Sequence, residues 1–262
     1  MRYSETACKT ALSPSALPGL DYTLNPYRGC EHGCLYCYAP STLRYAGPEP
    51  WGSFVQAKAN LPAVLERELR RKKKGTVGLS TVTDPYQPLE RKLRLTRSCL
   101  EVLRAKAFPV SVQTKSALVL RDLDVLAGYT GAEVGITITA LDGGIASLLE
   151  PGASSPGERL RAISELSRAG VGTWAFVGPL IPGLVEEKDL APLFHAIKDA
   201  GASHALVDRL RLKPGIGPRL QPLVEKYSAE VLDEAAGRKL LARALAVGRE
   251  LGLRCAPAFG EG

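Results

Sequence analysis

Side-chain amides and thioethers are nearly missing from this chain. Its 262 residues hold two Asn (Asn25, Asn60), four Gln (Gln56, Gln87, Gln113, Gln221) and one Met, the first residue. Few residues that deamidate or oxidise in heat remain, a composition that suits a hot habitat. No apolar run approaches the ~20 residues that span a bilayer, which argues against a membrane protein. The N-terminus, Met1-Arg2-Tyr3-Ser4-Glu5, lacks the apolar core of a secretory signal, so the cytoplasm is the expected compartment. Six cysteines without a leader do not make a disulfide framework. No G-x-G-x-x-G follows the first expected strand, which removes the dinucleotide fingerprint of a doubly wound sheet. No low-complexity tract is present.

What is there suits one α/β domain with a sizeable core: 45% hydrophobic and 23% charged residues. A net charge of +7 tilts the chain toward polyanions such as DNA or RNA. The densest cationic run, Arg70-Arg71-Lys72-Lys73-Lys74, reads as a solvated helix C-terminus that complements the helix dipole.

Three of the cysteines share one short loop. Cys30, Cys34 and Cys37 stand in N-P-Y-R-G-C-E-H-G-C-L-Y-C-Y, and no fourth cysteine lies nearby. A [4Fe–4S] cubane takes four ligands, so three thiolates leave one iron open to a small molecule. Zinc competes, with His32 as a fourth ligand. Structural zinc sites, however, join separated ligand pairs, whereas here every ligand falls within eight residues. Gly29 and Gly33 let the backbone turn tightly beside the sulfurs. Tyr36 and Tyr38 flank Cys37, and Tyr36 reads either as a shield for a cofactor or as plain packing. Cys8, Cys99 and Cys255 are isolated and read as small buried hydrophobes.

Along the rest of the chain β and α signals alternate, the mark of a parallel sheet. Strands are expected near 23–27, 77–80, 110–114, 134–139, 174–177 and 205–212. Helices are expected over 61–73, 95–105, 118–127, 158–169, 190–200 and 231–251, with a short apolar end at 253–257. Six βα units suit a partial (β/α)6 barrel. Residues 1–22 read as an extended arm, 23–215 as the barrel, and 216–262 as a helical segment packed on it. In such barrels chemistry gathers at the C-terminal ends of the strands. The cysteine loop follows strand one and falls on that face.

The other strand ends are polar. Strand two ends in S-T-V-T-D-P-Y-Q-P-L-E, where Thr83 or Asp84 could hold an ammonium, or Asp84 could cap the turn before Pro85. Strand three ends in Thr114-Lys115-Ser116, with Lys115 suited to a carboxylate. Thr137 and Thr139 alternate onto one face of strand four, turned toward a ligand or present for β-propensity alone. Arg159 could reach the barrel mouth but reads first as a surface salt-bridge residue. Gly178-Pro179-Leu180-Ile181-Pro182-Gly183 makes a rigid apolar corner after strand five.

The cysteine loop, the T-D-P-Y-Q-P-L-E loop, the T-K-S strand end and the G-P-L-I-P-G corner resemble the radical S-adenosylmethionine (SAM) superfamily. Within it they look like the DNA-repair-photolyase-like group related to spore photoproduct lyase, over residues 20–215. The resemblance implies a [4Fe–4S] cluster on Cys30, Cys34 and Cys37, with SAM on the open iron. It implies SAM contacts from Lys115 with Thr137 or Thr139 and catalytic parts for Tyr36 and Tyr38; the residues themselves add Tyr36 beside the adenine and Thr83 or Asp84 on the SAM ammonium. An electron from an external donor would split SAM into methionine and a 5′-deoxyadenosyl radical. The implied substrate is a nucleic acid, and the implied class is a lyase or modifying enzyme of DNA repair. The sequence departs at one place. The lyase returns a hydrogen atom from a cysteine near the end of strand two, and Leu79–Asp84 contains none. A small-molecule or peptide substrate, or a non-enzymatic iron–sulfur or zinc protein, are the alternatives.

Overall fold

A computed structural model describes residues 1–260. Its strands are β1 (Arg2–Thr6), β2 (Leu12–Pro14), β3 (Tyr22–Leu24), β4 (Tyr27–Gly29), β5 (Phe54–Lys58), β6 (Val77–Leu79), β7 (Val110–Thr114), β8 (Ala132–Thr137), β9 (Gly172–Leu180), β10 (Ala205–Arg209) and β11 (Cys255–Pro257). Its helices are α1 (Ala39–Thr42), α2 (Leu61–Leu69), α3 (Glu90–Leu93), α4 (Leu95–Ala105), α5 (Leu123–Leu126), α6 (Gly143–Leu149), α7 (Pro156–Arg168), α8 (Glu187–Asp199), α9 (Ile216–Lys226) and α10 (Glu234–Glu250).

The main sheet runs β11-β10-β9-β8-β7-β6-β3-β2. From β3 to β11 every neighbouring pair is parallel, and the strands follow in chain order. That order belongs to a winding barrel, because a doubly wound sheet reverses direction at a switch point. The six expected barrel strands are β3, β6, β7, β8, β9 and β10. The short apolar end is a seventh parallel strand, β11, beside β10. The antiparallel β2 occupies the other edge. Among the described residues no pairing joins the two edges, so the barrel is partial.

Parallel strands covered on both faces need apolar residues throughout. Val134, Ile136, Ala175, Val177, Ala205 and Val207 alternate onto one face and meet that need there, buried in the main core, while the other face carries polar residues such as Gln113 and Thr137. α2 and α4 present Leu61, Val64, Leu65 and Leu69, and Cys99, Leu100 and Leu103, at helical spacing to the same core. No described helix is long and apolar enough to cross a membrane.

Several elements differ from the sequence reading. Residues 1–22 carry two strands: β1 lies parallel to β5, and β2 pairs with β3. With β4 antiparallel to β5, β1 and β5 make a separate three-stranded sheet beside the cysteine loop. The prolines and glycines of 46–52 hide β5 from a periodicity search. The expected helix 118–127 is a 3₁₀ turn, Ala117–Asp122, followed by the four-residue α5. The last long helix begins at Glu234, because Asp233 accepts from the amides of Ala235 and Ala236 at 2.7 and 3.1 Å and so caps it.

A buried polar hub ties the loop after β6 to this frame. Glu90 is fully buried. It accepts from the Tyr27 hydroxyl, from Thr96 N at 3.0 Å and from Arg121 at 2.7 Å. Tyr27 lies on β4, three residues before Cys30. Removing one partner of a buried charge network leaves the others unpaired, at a cost of about 3–5 kcal/mol. Glu90→Ala is therefore expected to lower unfolding stability by about that amount, read from a shift of the urea midpoint at constant slope.

Candidate active site

The cysteine loop is a set of short backbone turns pinned from several sides. Gly33 N donates to Cys30 O at 3.4 Å, and Cys37 N to Cys34 O at 3.2 Å. Leu35 N donates to Leu149 O, and Gly152 N to His32 O, so the end of α6 is zipped against the loop. Gly29 has φ +84°, and a Cβ there would stand 2.3 Å from Phe54 O on β5. Only glycine allows that approach. Cys30 and Cys34 are buried and Cys37 is half-buried. Burial pushes the Cys30 thiol up to about 12, helped by the charges of Asp84 and Cys37. Cys34 is raised well above its ordinary value, chiefly by burial. Two buried thiols this costly to ionise alone, Cys30 and Cys34, are groups whose protons a bound metal would displace.

His32 does not join them. Its Nδ1 lies 3.3 Å from Asp84 Oδ2, an ion-pair distance without hydrogen-bond alignment. Among the described residues no three His, Cys, Asp or Glu side chains gather tightly enough around one point to hold a single ion. A cubane does not ask for such convergence, because each thiolate binds a different iron. The donor set of three thiols and no fourth side chain fits the cluster reading.

The loop after β6 is the buttress of the cysteine loop. Thr83 Oγ1 donates to Gly29 O at 2.6 Å, and Gln87 Nε2 donates to Thr83 Oγ1 at 3.1 Å. Gln87 Oε1 accepts from Glu31 N at 3.0 Å. Asn25 Oδ1 accepts from the amides of Thr81 and Val82 at 3.0 and 3.1 Å. Asp84 is buried and accepts from Tyr86 N, Thr114 Oγ1 and Lys115 N at 2.9, 2.7 and 2.9 Å. Burial alone would raise its pKa, yet His32, Lys115 and Thr114 together hold it far below the carboxylate range. Of the two roles the sequence leaves open for this pair, ammonium ligand or turn cap, the contacts within the chain are those of a support: Thr83 holds Gly29 and Asp84 holds the backbone of Tyr86 and Lys115. Asp84 is the turn cap before Pro85 and also a strut to β7.

Lys115, at the end of β7, reaches the cysteine loop. Its Nζ stands 5.8 Å over the Tyr36 ring. Burial works to lower its pKa, but Cys34, Glu150 and Asp84 outweigh burial and keep it charged. Tyr36 is buried, and its hydroxyl donates to Glu150 Oε1. Thr139 Oγ1 donates to the same oxygen at 2.8 Å and stands 3.5 Å from the Tyr36 hydroxyl. Burial, and next the Glu150 charge, raise the Tyr36 phenol well above its ordinary value. Thr137, two residues earlier at the end of β8, is also buried, with Gln113 Nε2 3.5 Å from its hydroxyl.

The expected surface role of Arg159 is overturned. It is 1% exposed, and its guanidinium stands 2.5 Å from Glu150 Oε2. It also donates to Ser154 O at 2.6 Å and Thr137 O at 3.1 Å. Tyr38 is 48% exposed, and its hydroxyl donates to Thr81 O. Tyr36, Lys115 and Thr139 thus meet beside the cysteine loop, while Thr137 is buried against Gln113 and Arg159. Tyr38 lies at its rim.

Sequence reading missed Glu150 and Arg219. Glu150 is fully buried at the end of α6, and only its position before Pro151 marked it. Arg219 on α9 donates to the carbonyls of Cys34 and Cys37, across more than 180 residues of chain. No local signal reveals such a contact.

The Radical SAM superfamily profile matches residues 24–191. An uncharacterized protein of Methanocaldococcus jannaschii is 36% identical over 178 residues, 68% of this chain and 67% of that one. A protein of Pseudomonas phage M6, the Radical SAM Nalpha-GlyT isomerase, is 26% identical over 185 residues, 70% of this chain and 38% of that one. The structure of spore photoproduct lyase complexed with dinucleoside spore photoproduct superposes with a TM-score of 0.73 at 16% identity, covering 98% of this chain and 82% of that one. The chain thus spans about two thirds or less of the length of these two relatives, and it shares the lyase fold almost throughout. With its three-cysteine loop at the barrel mouth, this chain belongs to the radical SAM superfamily and is an enzyme of that class.

Proposed function

We propose that this enzyme generates a SAM-derived radical at a [4Fe–4S] cluster and uses it on a nucleic acid, in repair or base modification. The observation that carries the reading is the lyase-like fold over 98% of the chain, with the cysteine loop at its strand ends. The net charge of +7 and the dinucleoside bound in the lyase complex support it.

When bound, the cluster supplies a strong one-electron reductant with one iron free for SAM. Cys30, Cys34 and Cys37 hold it. Lys115 is the cation for the SAM carboxylate, kept charged by the acids around it. Tyr36 presents an immobilised ring beside the last cysteine, locked by Glu150 and Thr139. Thr137 and Thr139 close the floor. Tyr38 stands at the rim, where a substrate enters. Electrons come from an external donor, and a reducing compartment, the cytoplasm, preserves the cluster.

β6 is followed by Ser80 and Thr81, whose O–H bonds are too strong to give a hydrogen atom to a carbon radical. The lyase's closing step therefore has no thiol donor here. A reaction in which the product radical takes its hydrogen back from 5′-deoxyadenosine needs none, and SAM is then re-formed. The test joins two measurements. Reduced, reconstituted enzyme is expected to bind DNA or RNA with an affinity that falls steeply with salt. It is also expected to move deuterium between substrate and SAM. Binding that ignores salt, or turnover only with a peptide or small molecule, would overturn the nucleic-acid reading.

A further inference from the structure

The chain beyond the matched residues 24–191 reaches back into the site through one side chain. α9 lays Ile216, Leu220 and Leu223 into the small core that holds Cys34 and Tyr36. From that helix Arg219 Nε donates to Gly215 O at 3.0 Å, which curls the side chain over its own first turn. The two remaining nitrogens of the fork donate to Cys34 O at 3.4 Å and Cys37 O at 2.5 Å. Cys34 O also accepts the Cys37 amide, so the guanidinium sits on the hydrogen bond that closes the ligand turn. A planar, rigid fork suits a span between two fixed carbonyls, and lysine, a single point charge, does not.

The charge has a consequence of its own. Reduction adds one negative charge to a cluster already ligated by three thiolates. Nearby cations favour that step, and the buried Glu150 and Asp84 oppose it. Of the two cations at the loop, Lys115 is committed to the SAM carboxylate in the function proposed above. Arg219 gives its hydrogen bonds to neutral carbonyls, so among the described residues no acid cancels its charge. It is half-buried, where salt screens less than at the open surface.

We propose that Arg219 is a positioning residue of the cluster loop: it holds the Cys34–Cys37 turn in ligating shape and makes the bound cluster easier to reduce. This rests on Cys30, Cys34 and Cys37 holding that cluster.

The test is a redox titration of anaerobically reconstituted protein, followed by electron paramagnetic resonance, with iron counted per chain. Arg219→Met is expected to load iron but to show about tenfold less reduced cluster at a fixed poise, equivalent to about 59 mV for one electron. Arg219→Lys keeps the charge without the span. It is expected to restore the potential while losing iron faster on exposure to air. Arg219→Met titrating with the wild type at equal iron content overturns the proposal. If Arg219→Met loads no iron, Arg219→Gln replaces it. Lower iron or a lower potential in glutamine than in lysine supports the proposal, and equal values overturn it. A wild-type protein that takes up no iron strikes at the cysteine assignment instead.

Discussion

Cys34→Ala is expected to leave a folded protein that forms no detectable 5′-deoxyadenosine. The position is buried in the small apolar core shared with Tyr36, Leu149 and Leu220. A free cysteine behaves there as a small hydrophobe, so losing its sulfur costs about 1 kcal/mol of stability. Secondary structure and melting should change little. Iron binding, by contrast, has no spare ligand. His32 is turned to Asp84, and no other thiol lies in the loop. Two thiolates and two open irons do not make the same site, so iron per chain and SAM cleavage should fall together. Cys99→Ala and Cys255→Ala are the controls. Cys99 belongs to the main core, between α4 and the sheet, and Cys255 to β11. Both variants should retain iron and activity. A Cys34→Ala protein that still cleaves SAM at the wild-type rate would remove the basis of the functional reading.

The contrast between those cysteines shows what the sequence exposes. Ligand spacing is local, so Cys30, Cys34 and Cys37 stand out with no structure at all. So do the six barrel strands, because βα alternation repeats along the chain. The residues that hold the loop in place are invisible for the opposite reason. Gln87 meets Glu31, Glu90 meets Tyr27, Arg219 meets Cys37, and each pair is far apart in sequence. The T-D-P-Y-Q-P-L-E motif is legible as important, but its spacing alone leaves Asp84 open between ligand and turn cap. In the fold the Thr83 hydroxyl meets the backbone entering the cysteine loop, and the Asp84 carboxylate meets the amides of Tyr86 and Lys115, replacing water that buried backbone has lost. Arg159 was misjudged because a helix N-terminal arginine is usually solvated. Nothing local told of the carboxylate of Glu150 waiting beneath it.

Arg159→Met should be the most destabilising single change in the site. Arg159 and Glu150 are both almost fully buried, and the guanidinium is the largest influence opposing burial of that carboxylate. Removing it leaves an uncompensated charge, at a cost of about 3–5 kcal/mol. For a chain of this size that is a fall in Tm of roughly 6–20 °C. The pH dependence identifies the cause. In the wild type the Glu150 carboxyl is held below its ordinary value, so its contribution is present above the unfolded pKa and is lost as pH falls through the folded one. Without Arg159, burial dominates and the folded pKa rises above the unfolded one. Glu150 then favours the fold only while protonated, and that support drains away as pH rises. The gap between wild type and Arg159→Met should therefore be widest near neutrality and narrow on acidification below about pH 4. The double change Glu150→Gln with Arg159→Met should recover part of the loss at pH 7, because it removes the stranded charge. Its Tyr36 would still lack a carboxylate acceptor, and SAM cleavage should stay below wild type even where stability returns. Equal destabilisation at pH 4 and pH 7, with no recovery in the double variant, would show that lost packing rather than the buried charge sets the cost.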